Sequence, residues 1–191
     1  MAEALDISGR LCRGWRVSQR HWPGVVWRLC RARDRLVPAA GAAERRAVND
    51  VAGNDHDVVI AIHQGRRELR LYRCGSGSAL VVKSYRVGVG RRDSKTPCGR
   101  FAIQAMLEDP TWHVPDNPRR YGSLAGRAIP AGSPENRIAA RWLGFHGGIG
   151  IHGVERGRFG LGSSDGCVVM SVTDVIDLFA RVGPNTPVIV T

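Results

Sequence analysis

Cys167 and His152 are the two residues whose types and setting suit covalent chemistry. His152 ends a short apolar run, Ile151-His152-Gly153. Cys167 follows in Ser164-Asp165-Gly166-Cys167 and opens a second apolar run, Val168-Val169-Met170. Both stand where a strand meets a Gly-rich turn, which puts side chains at the rim of a sheet on a rigid support. The thiolate is the reactive form of cysteine, and a neighbouring imidazole can take its proton and hold an ion pair. Gly166 allows a close backbone approach, so the N–H of Cys167 and a neighbouring N–H could face a developing oxyanion. A buried structural cysteine beside a core histidine is the alternative for a lone pair of this kind.

The surrounding pattern favours chemistry. Ile151-His152-Gly153, a Gly-rich linker and Ser164-Asp165-Gly166-Cys167-Val168-Val169-Met170 follow one another. Upstream lies Thr96-Pro97-Cys98-Gly99-Arg100-Phe101, and downstream Val182-Gly183-Pro184-Asn185-Thr186-Pro187-Val188. In this order the four segments resemble the L,D-transpeptidase catalytic domain of the YkuD type. The resemblance covers the chain from about Val58 to Thr191. Two positions depart from it: Asp165 stands where the family usually has His, and Val169 where it usually has Arg. Asp165 would raise the thiol pKa by its charge or orient a neighbouring donor. The lost Arg would remove a contact to a carboxylate or a buried hydrogen bond.

The resemblance implies acyl transfer through a Cys167 thioester with His152 as base. Gly153 would orient the imidazole through its carbonyl, and Ser164 with the Gly166–Cys167 backbone would support the oxyanion. The implied substrates are peptidoglycan stem peptides, as donor and acceptor, joined in 3→3 cross-links at the cell envelope or periplasm. No cofactor is implied. Water as acceptor would make the same site a carboxypeptidase or amidase, and a protein lysine would make it an anchoring enzyme. The two departures keep open a catalytically impaired wall-binding module.

Composition frames these readings. The chain has 191 residues and a formal net charge of +11, which suits one domain with an extension and a surface that favours polyanions such as anionic cell-wall polymers. Scattered solvated arginines are the alternative. The basic residues form no long block and no nucleic-acid-binding motif accompanies them, so no nucleic acid is expected. Five cysteines without a C-x-x-C pair argue against a zinc ribbon or a redox dithiol. Cys98 lies inside the Thr-Pro motif and reads as a partly buried small residue.

Residues 1–57 lie outside the motifs and read as an extension. Trp22 to Leu36 could form an amphipathic helix with an arginine face, and Ala39 to Asp57 reads as a linker with a short helix. No signal segment or membrane span is legible, so membrane association is not evident and the envelope location rests on the resemblance.

From Val58 the chain reads as mainly β, a sandwich or open barrel. Val58 to Ile62 and Glu68 to Arg73 form a hairpin around Gln64-Gly65, with Leu69 and Leu71 on one face. Leu80 to Val89 and Gly99 to Leu107 are the next strands. Glu108 to Phe145 carries five prolines and reads as a long loop forming a lid or binding wall. Trp112, His113 and Tyr121 are candidates to line a groove there, or to anchor the loop. His146 joins them as a substrate-facing candidate. A metal site from His146, His152, Asp165 and Cys167 fits no known spacing, so none is expected. After Met170, Ser171 caps a helix with Val172, Val175, Ile176, Phe179 and Val182 as its apolar stripe. Gly183-Pro184 stops it, and Pro187 to Val190 is the last strand.

Overall fold

The computed structural model describes residues 41–52, 57–75, 78–155 and 164–191. The expected helix at Trp22 to Leu36 lies outside these residues.

Two sheets enclose the main core. The first has five strands in the order β3-β2-β1-β11-β4, built from β1 (Val58–His63), β2 (Glu68–Gly75), β3 (Ser78–Arg86), β4 (Gly99–Ala102) and β11 (Pro187–Val190). The second has four, β10-β9-β8-β5: β5 (Ala105–Leu107), β8 (Ala140–His146), β9 (Ile149–Val154) and β10 (Val168–Ser171). Parallel pairing occurs at β1–β11 and β9–β10, and the other pairs in these sheets are antiparallel. Ile60, Ile62, Leu69 and Leu71 from the first sheet meet Leu143, Phe145, Ile151, Val168 and Met170 from the second, all buried. This is a sandwich, as the short strands and turn signals imply.

The expected hairpin forms, with Ile60 opposite Leu71 and Ile62 opposite Leu69. The strand expected over Gly99 to Leu107 is two strands instead. Between them Ile103 donates to the Thr186 carbonyl and Gln104 to that of Gly144, so the chain passes from one sheet to the other there.

The linker region is a helix, α1 (Ala42–Ala52), packed on the outer face of the first sheet. Val48 joins Val59, Ala61, Tyr72 and Ile189 in a second buried cluster. This explains why β1 reads Val-Val-Ile-Ala-Ile without polar interruption: alternate side chains enter two cores, one per face.

Beneath α1 lies a polar network. Glu44 accepts from Tyr72 Oη at 2.7 Å and pairs with His63 Nε2 at 2.8 Å and Arg70 at 3.3 Å. Arg70 also meets Glu68 at 3.0 Å and is only 1% exposed. Burial pushes the Glu44 pKa up, but the hydrogen bonds from Tyr72 and His63 and the neighbouring charges outweigh it and leave it below the ordinary carboxylate value.

The long loop is not structureless. It carries β6 (Trp112–His113), α2 (Pro118–Tyr121), a 3-10 turn (Gly122–Leu124) and β7 (Ala128–Ile129), with β6 and β7 paired. Trp112, Val114, Tyr121 and Ile129 form a third buried cluster, against which Leu124, Ala125 and Ile138 pack.

The last helix, α3 (Val172–Phe179), starts as expected, with Ser171 Oγ accepting from Asp174 N at 3.1 Å. Its stripe differs from expectation. Val175 and Leu178 are buried while Ile176 is 42% exposed. The helix turns Val175 onto Gly153 of β9, where a β-carbon would lie 2.9 Å from Val175 Cγ1. That contact sets the rotation of the helix and places Ile176 on the outside. No helix among the described residues is long and apolar enough to cross a membrane.

Candidate active site

Strand register brings the two reactive residues to one face. His152 on β9 lies opposite Val169 on β10. Ile151, Val168 and Met170 point into the core, so alternation sends His152, Val169 and Cys167 to the other side. Cys167 stands two residues before Val169, roughly 8 Å from His152 between α-carbons by strand geometry. The N–H of Gly150, two residues before His152, donates to the Cys167 sulfur.

The imidazole is held from both sides. His152 Nδ1 is 3.1 Å from the Gly153 carbonyl. A carbonyl only accepts, so Nδ1 carries the proton and Nε2 is left with its lone pair for a proton transfer. The same carbonyl accepts from Ala139 N at 2.9 Å, which anchors it. Gly153 therefore has two tasks: its missing side chain admits α3, and its oxygen fixes the histidine. Trp142, opposite His152 on β8, stacks on the ring at 5.8 Å between centroids and 26° between planes. The indole lies over Gly144 and Gly150, where β-carbons would meet it at 2.7 and 2.8 Å.

Burial favours the neutral form of both groups. Burial lowers the His152 pKa to about 4, partly opposed by its bond to Gly153. Burial raises the Cys167 pKa to about 11, partly opposed by the Gly150 N–H. Both shifts oppose the expected thiolate–imidazolium pair and favour a thiol beside a neutral imidazole. Asp165 is not among the causes of the cysteine shift.

The turn before the cysteine is tightly packed. Gly166 has φ +102°, a conformation open to glycine. Its α-carbon would lie 2.9 Å from a β-carbon on Gly90, so the two glycines let two backbones touch. Gly88 exchanges hydrogen bonds with Val169 at 2.8 and 2.9 Å, covering the outer edge of β10. Thr96 Oγ1 accepts from Gly90 N at 2.9 Å, which ties the Thr-Pro motif to this segment. Ser164 Oγ donates to the Cys167 carbonyl at 2.5 Å. Val169 is buried within this pairing.

Asp165 is held by partners other than the thiol. Its carboxylate binds Arg91 Nη2 at 3.1 Å, Arg120 and the Tyr121 hydroxyl. Arg120 and Tyr121 belong to α2, so the turn before Cys167 is joined to the long loop. The Tyr121 pKa is raised, first by burial; Arg137 lowers it and Cys167 raises it, so the phenol lies within electrostatic reach of the cysteine. Trp112 meets Tyr121 edge-on at 5.8 Å, and Arg137 covers both rings at 5.3 and 5.6 Å. Both aromatics are thus part of the loop's own core. His113 is exposed.

His146 is exposed at the end of β8, with its ring 4.9 Å from that of Phe101. Cys98 is also exposed and takes a contact from Gln64 Nε2 at 3.0 Å. Among the described residues no three His, Cys, Asp or Glu side chains gather as a metal site. Sequence reasoning missed Trp142, Gly150, Arg91 and Arg120. The glycines at 144 and 150, on adjoining strands, were the available sign that a large ring lies across this face.

Residues 57–190 match the family described as the L,D-transpeptidase catalytic domain, YkuD. The chain belongs to that family. It is 33% identical over 117 residues to the "Putative L,D-transpeptidase YqjB" of Bacillus subtilis, covering 56% of this chain and 58% of that protein. It is 33% identical over 131 residues to the "Probable L,D-transpeptidase YcfS" of Escherichia coli, covering 63% and 40%. The chain therefore spans little more than half of the first relative and less of the second. The catalytic domain of an Enterococcus faecium L,D-transpeptidase shares the fold, with TM-score 0.53 and 23% identity over 73% of this chain and 100% of that one.

Proposed function

We propose that this domain is a cysteine-dependent L,D-transpeptidase acting on peptidoglycan stem peptides at the cell envelope. The observation that carries the reading is His152 on β9 beside Cys167 at the entry to β10, where the Gly150 N–H meets the sulfur, with Nδ1 tied to Gly153 and Nε2 left to accept a proton.

Cys167 Sγ attacks the carbonyl before the terminal D-Ala of a donor stem. Because burial favours the thiol over the thiolate, its proton passes to His152 Nε2 as the C–S bond forms. The carbonyl oxygen takes up negative charge, with the Gly166–Cys167 backbone as its support. Collapse expels D-Ala, which takes the proton from His152. The side-chain amine of a second stem then attacks the thioester and gives its proton to His152, which passes it to the departing sulfur, so the thiol is restored with the cross-link made. Ser164 holds the turn through the Cys167 carbonyl. The face of the long loop near Tyr121 forms a wall of the donor groove, and Trp112 supports that wall from within.

The test is product analysis with a disaccharide-tetrapeptide as both donor and acceptor. Cross-linked dimer and free D-Ala are expected. His152→Ala should lower the rate by about 10²-fold or more, while His146→Ala should have a small effect. Tripeptide without dimer would replace the transferase reading with a hydrolase, and equal losses in the two histidine variants would refute the assigned base.

A further inference from the structure

We propose that Asp165 is a positioning residue that latches the loop from Trp112 to Ile138 onto the turn carrying Cys167. Three observations carry this. First, the loop is a self-packed unit: Trp112, Val114, Tyr121 and Ile129 bury one another, and Asn136 Nδ2 binds the carbonyls of Pro110, Ile129 and Pro130. A unit with its own small core can move as a body. Second, the Asp165 carboxylate receives both Arg120 and the Tyr121 hydroxyl from that unit. Third, Arg91 holds the same carboxylate at 3.1 Å from the segment paired with the catalytic turn, and Asp93 lies 3.3 Å from Arg91 Nε. The aspartate is therefore fixed to the catalytic side by Arg91 and reaches the loop through an ion pair with Arg120 and a hydrogen bond from the Tyr121 hydroxyl. Charge-assisted hydrogen bonds in a half-buried setting are the strong kind.

The consequence concerns access. With the latch made, Tyr121 stands near the thiol and the groove has its wall. With it broken, the loop swings out, the thiol becomes more open to small reagents and the peptide donor loses its seat. This chain has Asp at the position, and its arginines supply the matching charge.

The experiment compares wild type with Asp165→Asn, and with Arg120→Gln as an independent cut of the same contact from the loop side. Iodoacetamide labelling is followed at Cys167 and Cys74 separately by peptide mass mapping, and hydrogen exchange is followed over residues 112–130. In both variants Cys167 labelling should rise roughly tenfold, the factor expected from losing one charge-assisted hydrogen bond. Exchange in the loop should rise with it, and Cys74, under α1, should be unchanged. Acylation by a tetrapeptide donor should fall in the same variants. Unchanged Cys167 labelling and loop exchange would overturn the latch, and so would an equal rise at Cys74, which would mean general unfolding. The proposal rests on the nucleophile assignment only in its donor arm. If wild type takes no donor, that assignment fails while labelling and exchange still decide the latch.

Discussion

At the scale of single residues, burial decides the chemistry. Cys167 at about 11 and His152 at about 4 are shifted apart by loss of water, with one hydrogen bond each acting against the shift. Alkylation of Cys167 should therefore rise with pH without a plateau near neutrality, climbing until about pH 11. A neutral plateau would mean that the ion pair forms after all. Stability has a matching signature. The His152 pKa is below its unfolded value of 6.5, so the unfolded chain binds the proton first, and stability is present above 6.5 and lost as pH falls towards 4. His152→Gln should remove this acid loss in urea unfolding measured across that window. Gly150→Ala should displace Trp142, since a β-carbon would stand 2.8 Å from the indole; loss of acylation with the fold kept would show it by mass spectrometry beside circular dichroism. The residue pair was legible because two short motifs hold it. Trp142, Arg91 and Arg120 were not, because they come from distant segments and only the folded sheet brings them together.

At the scale of elements, α1 is joined to the domain by chemistry as well as by packing. Glu44 answers Arg70, Tyr72 and His63 at once. Glu44→Ala should destabilise by about 2 to 3 kcal/mol, because it removes one of two carboxylates from a buried arginine. Urea unfolding of the full chain measures this, and a change below about 0.5 kcal/mol, typical of a surface substitution, would show that the network contributes little. The depressed Glu44 pKa adds stability above the unfolded carboxylate value, lost as pH falls through the folded one. Strands with alternating or continuous apolar residues were legible, as was the Ser171 cap. The passage of the chain between sheets at Ile103 and Gln104 was not. It depends on which backbone carbonyls lie opposite, and these belong to Gly144 and Thr186. Nor did the α3 stripe show that Leu178 rather than Ile176 is buried, because Gly153 on another strand sets the helix rotation.

At the scale of the molecule, the sandwich supplies a rigid face and the charge a field. A formal charge of +11 should hold the protein on anionic wall polymer in a salt-dependent way. Retention on such polymer should fall as sodium chloride is raised through physiological strength, and salt-independent retention would refute a role for the charge. The proposed chemistry rests on the Cys167 sulfur. Intact-protein mass spectrometry after mixing the protein with a disaccharide-tetrapeptide tests it most directly, with Cys167→Ala alongside. A mass gain equal to the donor less D-Ala is expected in the wild type and none in the variant. The same gain in Cys167→Ala, or none in folded and reduced wild type, would contradict it.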